Sequence, residues 1–430
     1  MSNPFHCVIA PLPRSRKRYA RLKLTDHPKQ IETILIFAAT FLVLGIGRLP
    51  GLKIDRTGAS VIGAGLMLAI GTLSIDEAWN AIHHDTILLL FGMMILIANL
   101  RLSGFFTLAG QAIVRRAHHP ITLLSAIVCT TAIFSALFVN DTMCLVMTPL
   151  VLEATLALRR NPLPYLIGVA VASNVGSVAT ITGNPQNMMI GSYSGLPYSV
   201  FFLRLAPVAI AGTLLAIGLI VLLYRDEFRA AATLEVPLHE PEIDRLLLFK
   251  SLTASVALFV AFFAGVPVAK AAMVAGALLL ITRRIHPERI YEQIDWSILV
   301  MFSGLFVVLE GVERTSLDEH FLQLTNSLRL QNIGVLSLLS AALSNLISNV
   351  PAVMVLKPVV QRLPDAATGW MALAMSSTLA GNLTLLGSVA NLIVVEQARK
   401  QVTISFWEYT RVGLPLTVLT IAFGAWWLSL

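Results

Sequence analysis

Four points in this chain place amides, hydroxyls and one carboxylate where the surrounding sequence is apolar. The first is the stretch SNVGSVATITGNPQNMMI at 173–190. Pro185 has no backbone N–H and disfavours helical geometry at Asn184, while Gly183 tolerates almost any backbone conformation. A helix broken there frees backbone groups that lipid cannot satisfy, so the break must face protein or a wet cavity. A lone Gly-Pro pair would read as a packed kink. Here Asn184, Gln186 and Asn187 crowd the break, and a second break follows at Leu386-Gly387-Ser388-Val389-Ala390-Asn391. The other two points are Asn140-Asp141-Thr142, within FSALFVNDTMCLVMTPL, and Ser348-Asn349-Val350-Pro351.

The candidate site residues are Asn140, Asp141, Thr142, Asn184, Gln186, Asn187, Ser348, Asn349, Asn382, Thr384, Ser388 and Asn391. They offer hydrogen bonds to a small polar solute, and none is Lys or Arg. Lys357 lies eight residues past Asn349, about 12 Å along a helix, too far for a direct ligand. Asp141 is the ionisable group at membrane depth, which makes it the candidate proton carrier. Its plainer role is an N-cap of the following helix. Sodium is the other coupling ion such a site would take, through unwound carbonyls and Asn and Ser oxygens.

The elements that must position these residues belong to a membrane protein. Apolar residues are 56% of the 430, charged residues 13%, and the mean hydropathy is +0.77. A soluble chain would carry about 25% charged residues. The net charge of +7 sits in short loops between apolar runs, which is a topology signal and no sign of nucleic-acid binding. Residues 1–30 form a basic tail, expected to be uncleaved and poorly ordered. Apolar spans are expected at 31–48, 57–75, 85–102, 162–191 and 198–224, with a polar-tipped hairpin at 120–158. A polar linker at 225–245 leads to a second set at 246–264, 267–282, 296–312, 369–395 and 406–429, with a hairpin at 334–361.

The halves 31–224 and 246–430 therefore repeat one plan, and five spans each is an odd number. The second half must insert upside down, as in the inverted repeats of secondary transporters. The expected fold is an all-α polytopic membrane protein of two such repeats, each with a re-entrant hairpin and a broken helix. Loops 48–56, 101–119, 159–160, 225–250, 283–289 and 399–411 share one side and hold eighteen Lys and Arg. The other side holds six, Arg204, Lys270, Arg314, Arg329, Lys357 and Arg362, so the first side is read as cytoplasmic. The tail's seven basic residues then fall outside, against the rule.

Other residues have plain readings. His83-His84 and His118-His119 are read as interfacial pairs, and no metal or cofactor site is expected. Trp79, Trp296, Trp407, Trp426 and Trp427 fall near span ends, as membrane anchors do. Asp85 and Asp295 open matching spans as helix-start residues. Cys129 and Cys144 flank the first tip at depths about 10 Å apart, so they cannot hold one atom together. No nucleotide-binding loop appears.

FVNDTMCLVMTP at 138–149, SNVGSVATITGNPQNMMI at 173–190, SNLISNVPAVM at 344–354 and GNLTLLGSVANLIV at 381–394 together resemble the ion transporter superfamily. The nearest branch looks like the ArsB arsenite permeases and related anion permeases. The dicarboxylate branch carries Ser-Asn-Thr at both tips, whereas the Asn140-Asp141 tip is similar to the arsenite permeases. The resemblance implies that both tips and both breaks converge on one central cavity in a cytoplasmic-membrane transporter. It also implies proton-coupled efflux of arsenite or antimonite by alternating access, a possible homodimer and a possible separate ATPase subunit. The alternatives are a sodium- or proton-coupled transporter of another inorganic or organic anion and, from a different class, a channel or membrane-embedded enzyme.

Overall fold

The computed structural model describes residues 27–47, 53–116, 119–229, 243–281, 285–315 and 329–430. The basic tail up to residue 26, residues 230–242 of the linker, and Arg48, His118, Arg283 and Arg284 lie outside the described residues. Among the described residues every regular element is helical. Seven helices among the described residues are long and apolar enough to cross a membrane, His84–Leu102 and Tyr198–Leu223 among them.

Two of the expected spans are shorter than the sequence implied. The run at 57–75 is helical only over Arg56–Ala69. Gly71 adopts a φ of 72°, and Ser74 then opens a separate short helix, Ile75–Ala81, through a capping box with Glu77. Its counterpart is Val268–Leu280. At 1.5 Å per residue both are about 20 Å long, well short of a hydrocarbon core of roughly 30 Å. Each lies against the long helix of the other repeat: Arg56–Ala69 on Trp296–Glu313, and Val268–Leu280 on His84–Leu102. Glycine permits the second crossing, because a Cβ on Gly92 would sit 2.5 Å from the Ala272 backbone. The frame of the molecule is thus interlaced between the repeats.

The first hairpin has arms Pro120–Leu137 and Asn140–Ala157, and the second has arms Ile333–Ile347 and Asn349–Val360. The second turns at Ser348, whose φ of 76° is a left-handed value uncommon for a residue with a side chain. The first broken helix runs Pro162–Ser177, a single turn at Ile181–Gly183, then Pro185–Ser194. The second runs Ala366–Leu379, turns at Ala380–Asn382 and Leu385–Gly387, then Val389–Ala398. The restart residues are extended: Asn184 has φ −158° and Ser388 has φ −144°. Their side chains cap the new helices, Asn184 Oδ1 accepting from Asn187 N (2.8 Å) and Ser388 Oγ from Ala390 N (3.3 Å). Helices 28–46 and Arg245–Phe263 keep only 28% of their apolar windows buried, leaving wide faces for lipid.

Candidate transport site

Both hairpin tips and both breaks reach one cavity of about 220 Å³, some seven water volumes at roughly 30 Å³ each. The first tip contributes Asn140 and Asp141, and the second Ser348, Asn349, Val350 and Pro351. The breaks contribute Pro185 and Gln186 from one repeat and Ser388 and Val389 from the other. The tips and breaks therefore bring four helix N-termini to the cavity, at Asn140, Pro185, Asn349 and Val389. Each brings partial positive charge. The helices that start at Asn140 and Asn349 have no side-chain cap, so their first-turn N–H groups remain available. Asp141 is not a capping residue; it lies in the first turn, half-buried.

The amide oxygens of Asn140 and Asn349 are buried and accept no hydrogen bond. Among the described residues they occupy the same position in the two tips. A buried unpaired amide oxygen is costly, by about 1–3 kcal/mol. Both belong to residues of the cavity wall.

The remaining polar residues form a layer behind the wall, and that layer crosses between the repeats. Asn174, completely buried, accepts from Asn140 Nδ2 (3.1 Å) and from Ser388 Oγ (3.0 Å). Its own Nδ2 donates to Asn382 Oδ1 (2.9 Å) and Asn391 Oδ1 (3.1 Å). Thr378 does the mirror job, receiving Asn184 Nδ2 (3.1 Å) and Gln186 Nε2 (3.2 Å) and donating to Asn187 Oδ1 (3.5 Å). Asn184, Asn187, Asn382 and Asn391 thus hold the breaks together, while Gln186 and Ser388 belong to both layers. Thr384 offers its carbonyl to Asn391 Nδ2 (3.1 Å), and Thr142 is half-buried beside the first tip, off the wall.

Sequence reasoning missed Asn174, Thr378 and one charge. Arg56 had counted as a loop cation, yet it lines the cavity with Asp295 and Asp141, so the cavity does hold an arginine. Its Nε donates to the Leu44 carbonyl (3.1 Å). Asp295 is the expected helix-start residue, accepting from Ile298 N (3.2 Å), and it also faces the cavity. The signal for Asn174 and Thr378 was present: each precedes the key Asn of its own break by the same interval.

Along Trp296–Glu313 the cavity touches only the first turns, from Ser297 to Phe302. Further along, the path is filled. Tyr193 stacks near Phe306 (6.4 Å), Trp370 (6.3 Å) and His83 (4.8 Å). Lys357 pairs with Glu313 (2.9 Å) and lies 4.9 Å from the centre of the Tyr193 ring. Glu313 is about 17 Å along the helix from Phe302 at helical rise. The cavity is thus open toward the helix ends that carry Arg56 and Asp295, and closed beyond. His83 packs against rings and meets Thr86 Oγ1 (3.1 Å). No group of three metal-ligating side chains occurs among the described residues.

Known proteins share this plan. The family model described as citrate transporter matches residues 34–379. An uncharacterised transporter of Mycobacterium tuberculosis is 31% identical, over 92% of this chain and 98% of that one. The silicon efflux transporter of Oryza sativa subsp. japonica is 30% identical, over 94% and 98%. The crystal structure of the YdaH transporter of Alcanivorax borkumensis, described as having an unusual topology, superimposes with a TM-score of 0.57 at 14% identity, covering 93% of this chain and 97% of that one. That last likeness is one of fold alone. The matched span takes in most of the chain, including both hairpins and the first break, and the chain belongs to the citrate transporter family of the ion transporter superfamily, a family of membrane transporters and not of enzymes.

Proposed function

We propose that this membrane transporter exports arsenite or antimonite as a neutral hydroxide, in exchange for protons, by alternating access. The observation that carries the reading is the pair of unpaired amide oxygens on Asn140 and Asn349. They call for a solute that donates hydrogen bonds, and the uncapped N–H groups beside them call for one that also accepts. A trihydroxide does both through each O–H group. A fully ionised polyanion such as citrate, the solute in the family's description, has a single hydroxyl to donate and otherwise only accepts. It would also meet Asp141 and Asp295 with Arg56 as the one opposing cation among the described lining residues. The rice relative's name specifies silicon efflux, and silicon, like trivalent arsenic, forms a neutral hydroxide in water at neutral pH.

Asp141 carries the proton in this reading. It arrives protonated from the far side, releases its proton to cavity water, and the solute's O–H groups then bind the carboxylate. The hairpins and broken helices, tied together by Asn174 and Thr378, carry the solute past the interlaced frame. The frame sits in the bilayer of the cytoplasmic membrane.

The test is arsenite flux in proteoliposomes holding the purified protein alone, under an imposed pH gradient or sodium gradient. Arsenite accumulation driven by the pH gradient, with no ATPase added, is expected. Accumulation driven only by sodium, or transport of an anion that excludes arsenite, would establish the sodium- or anion-coupled alternative instead.

A further inference from the structure

Charge is shared unequally between the two repeats. The first tip carries Asp141, and the matching residue of the second tip is Val350. The short helix of the first repeat begins with Arg56, and its counterpart in the second begins with Val268. The repeat that lacks the tip acid thus lacks the arginine as well. The two charges also belong to different bodies: Arg56 is part of the interlaced frame, anchored through Nε to the Leu44 carbonyl (3.1 Å), while Asp141 rides on a hairpin. Both line the one cavity. Asp295 faces it too, fixed to the frame by its bond from Ile298 N (3.2 Å). Cys144, buried one turn beyond Asp141 on the same helix, is the other titratable neighbour acting with Asp141.

A proton exchanger must stop its empty, deprotonated form from crossing the membrane, or protons leak without moving solute. We propose that Arg56 is this lock, its guanidinium holding the Asp141 carboxylate and so pinning the first hairpin to the frame until solute or a proton takes the arginine's place. The inference rests on Asp141 as the proton carrier. A proton on Asp141 removes the charge that Arg56 holds. A hydroxylated solute donates its O–H groups to the same carboxylate oxygens and displaces the guanidinium. In both cases the hairpin is freed, and only the empty carboxylate form stays pinned. Arg56 keeps its charge throughout, since a guanidinium does not deprotonate in proteins. Arg56 is therefore a positioning residue.

The experiment measures proton leak into proteoliposomes without arsenite, under an imposed pH gradient, alongside arsenite exchange with arsenite on both sides. Wild type should leak little above protein-free vesicles. Arg56→Gln should leak about tenfold faster relative to its own arsenite exchange, within the roughly 5- to 150-fold span of coupling between sites. Arg56→Lys, which keeps the charge, should restore a tight membrane. Arg56→His should leak more as pH rises from about 6 to 8, because imidazole loses its charge near 6.5. A glutamine variant that exchanges arsenite yet leaks no more than wild type overturns the lock. Where the glutamine variant does not reconstitute, a histidine variant whose leak is flat with pH overturns it equally. Wild-type accumulation that ignores a pH gradient sinks the proton reading itself, before any variant is compared.

Discussion

Asn187 and Asn391 hold the same post in opposite halves of the chain. Asn187 Nδ2 donates to the carbonyls ten and seven residues earlier, Ser177 and Thr180 (3.0 Å each). Asn391 Nδ2 donates to Gly381 (2.7 Å) and Thr384 (3.1 Å), again ten and seven residues earlier. These carbonyls lie where each half-helix ends and in the turn that follows it. Each Asn oxygen is then held from the other repeat, by Thr378 for Asn187 and by Asn174 for Asn391. The two breaks are therefore one structural unit.

Asn187→Ala and Asn391→Ala should each lower stability by a similar amount, about 2–3 kcal/mol, because each removes two hydrogen bonds to backbone carbonyls and the one its own oxygen accepts from the other repeat. Thermal unfolding in detergent measures this. Loss of stability in one variant and none in the other would show that the two sites are not equivalent.

Asp141→Asn should fold and insert normally, since Asp141 makes no capping bond, and should lose pH-driven arsenite accumulation. Flux measurements beside a melting curve check both halves of the statement. Retained pH-driven accumulation would move the proton to another group.

Gly92→Ala should destabilise by about 1–3 kcal/mol, as overpacking does, because the new methyl would press on the Ala272 backbone at 2.5 Å. Gly65→Ala, on the exposed face of the other short helix, meets nothing within 4 Å and should be neutral or slightly stabilising. Equal effects from both would contradict the proposed tight contact between the repeats.

Glu77, on the short helix between spans, is pulled from the usual 4.5 down to about 2, chiefly by its hydrogen bond from Arg314 (2.6 Å). A depressed carboxylate contributes stability above its unfolded pKa and loses it as pH falls through the folded one. The melting advantage of wild type over Glu77→Gln should be level from pH 5 to 8, shrink below about 4.5 and vanish near 2. A difference that grows on acidification would rule out this ion pair as its source.

The fold was legible because lipid imposes simple rules. Pro185 beside Asn184 and Gly183, and Gly387 with Ser388, mark breaks that only a buried or wet site tolerates, and five spans per half force inversion. Span length was less legible. Hydropathy runs on through Ile70 and Leu73, and nothing in it reveals that Gly71 turns the chain or that Ser74 caps a new helix. The four points of the cavity were readable from polar residues in apolar surroundings. Arg56 was not, because beside Lys53 and ahead of an apolar run it has the pattern of a loop cation, and only the third dimension brings it into the cavity that Asp141 also lines. The division between wall and supporting layer was hidden for a similar reason. Asn187 and Gln186 are neighbours of like chemistry, and one turns to backbone carbonyls while the other reaches the cavity.

The most direct measurement is accessibility at the second tip, with a single cysteine in place of Asn349 and the three native cysteines removed. A membrane-impermeant maleimide is applied from either side of oriented vesicles. The substrate-free protein should label from the side carrying Arg56 and Asp295, and not through the layer of Tyr193, Phe306, Trp370 and Lys357. Acidifying the compartment on the Arg56 side should protonate Asp141, free the hairpin and shift labelling toward the opposite side. Labelling from both sides at equal rates, unchanged by pH or arsenite, would mean a continuous pore and would contradict alternating access.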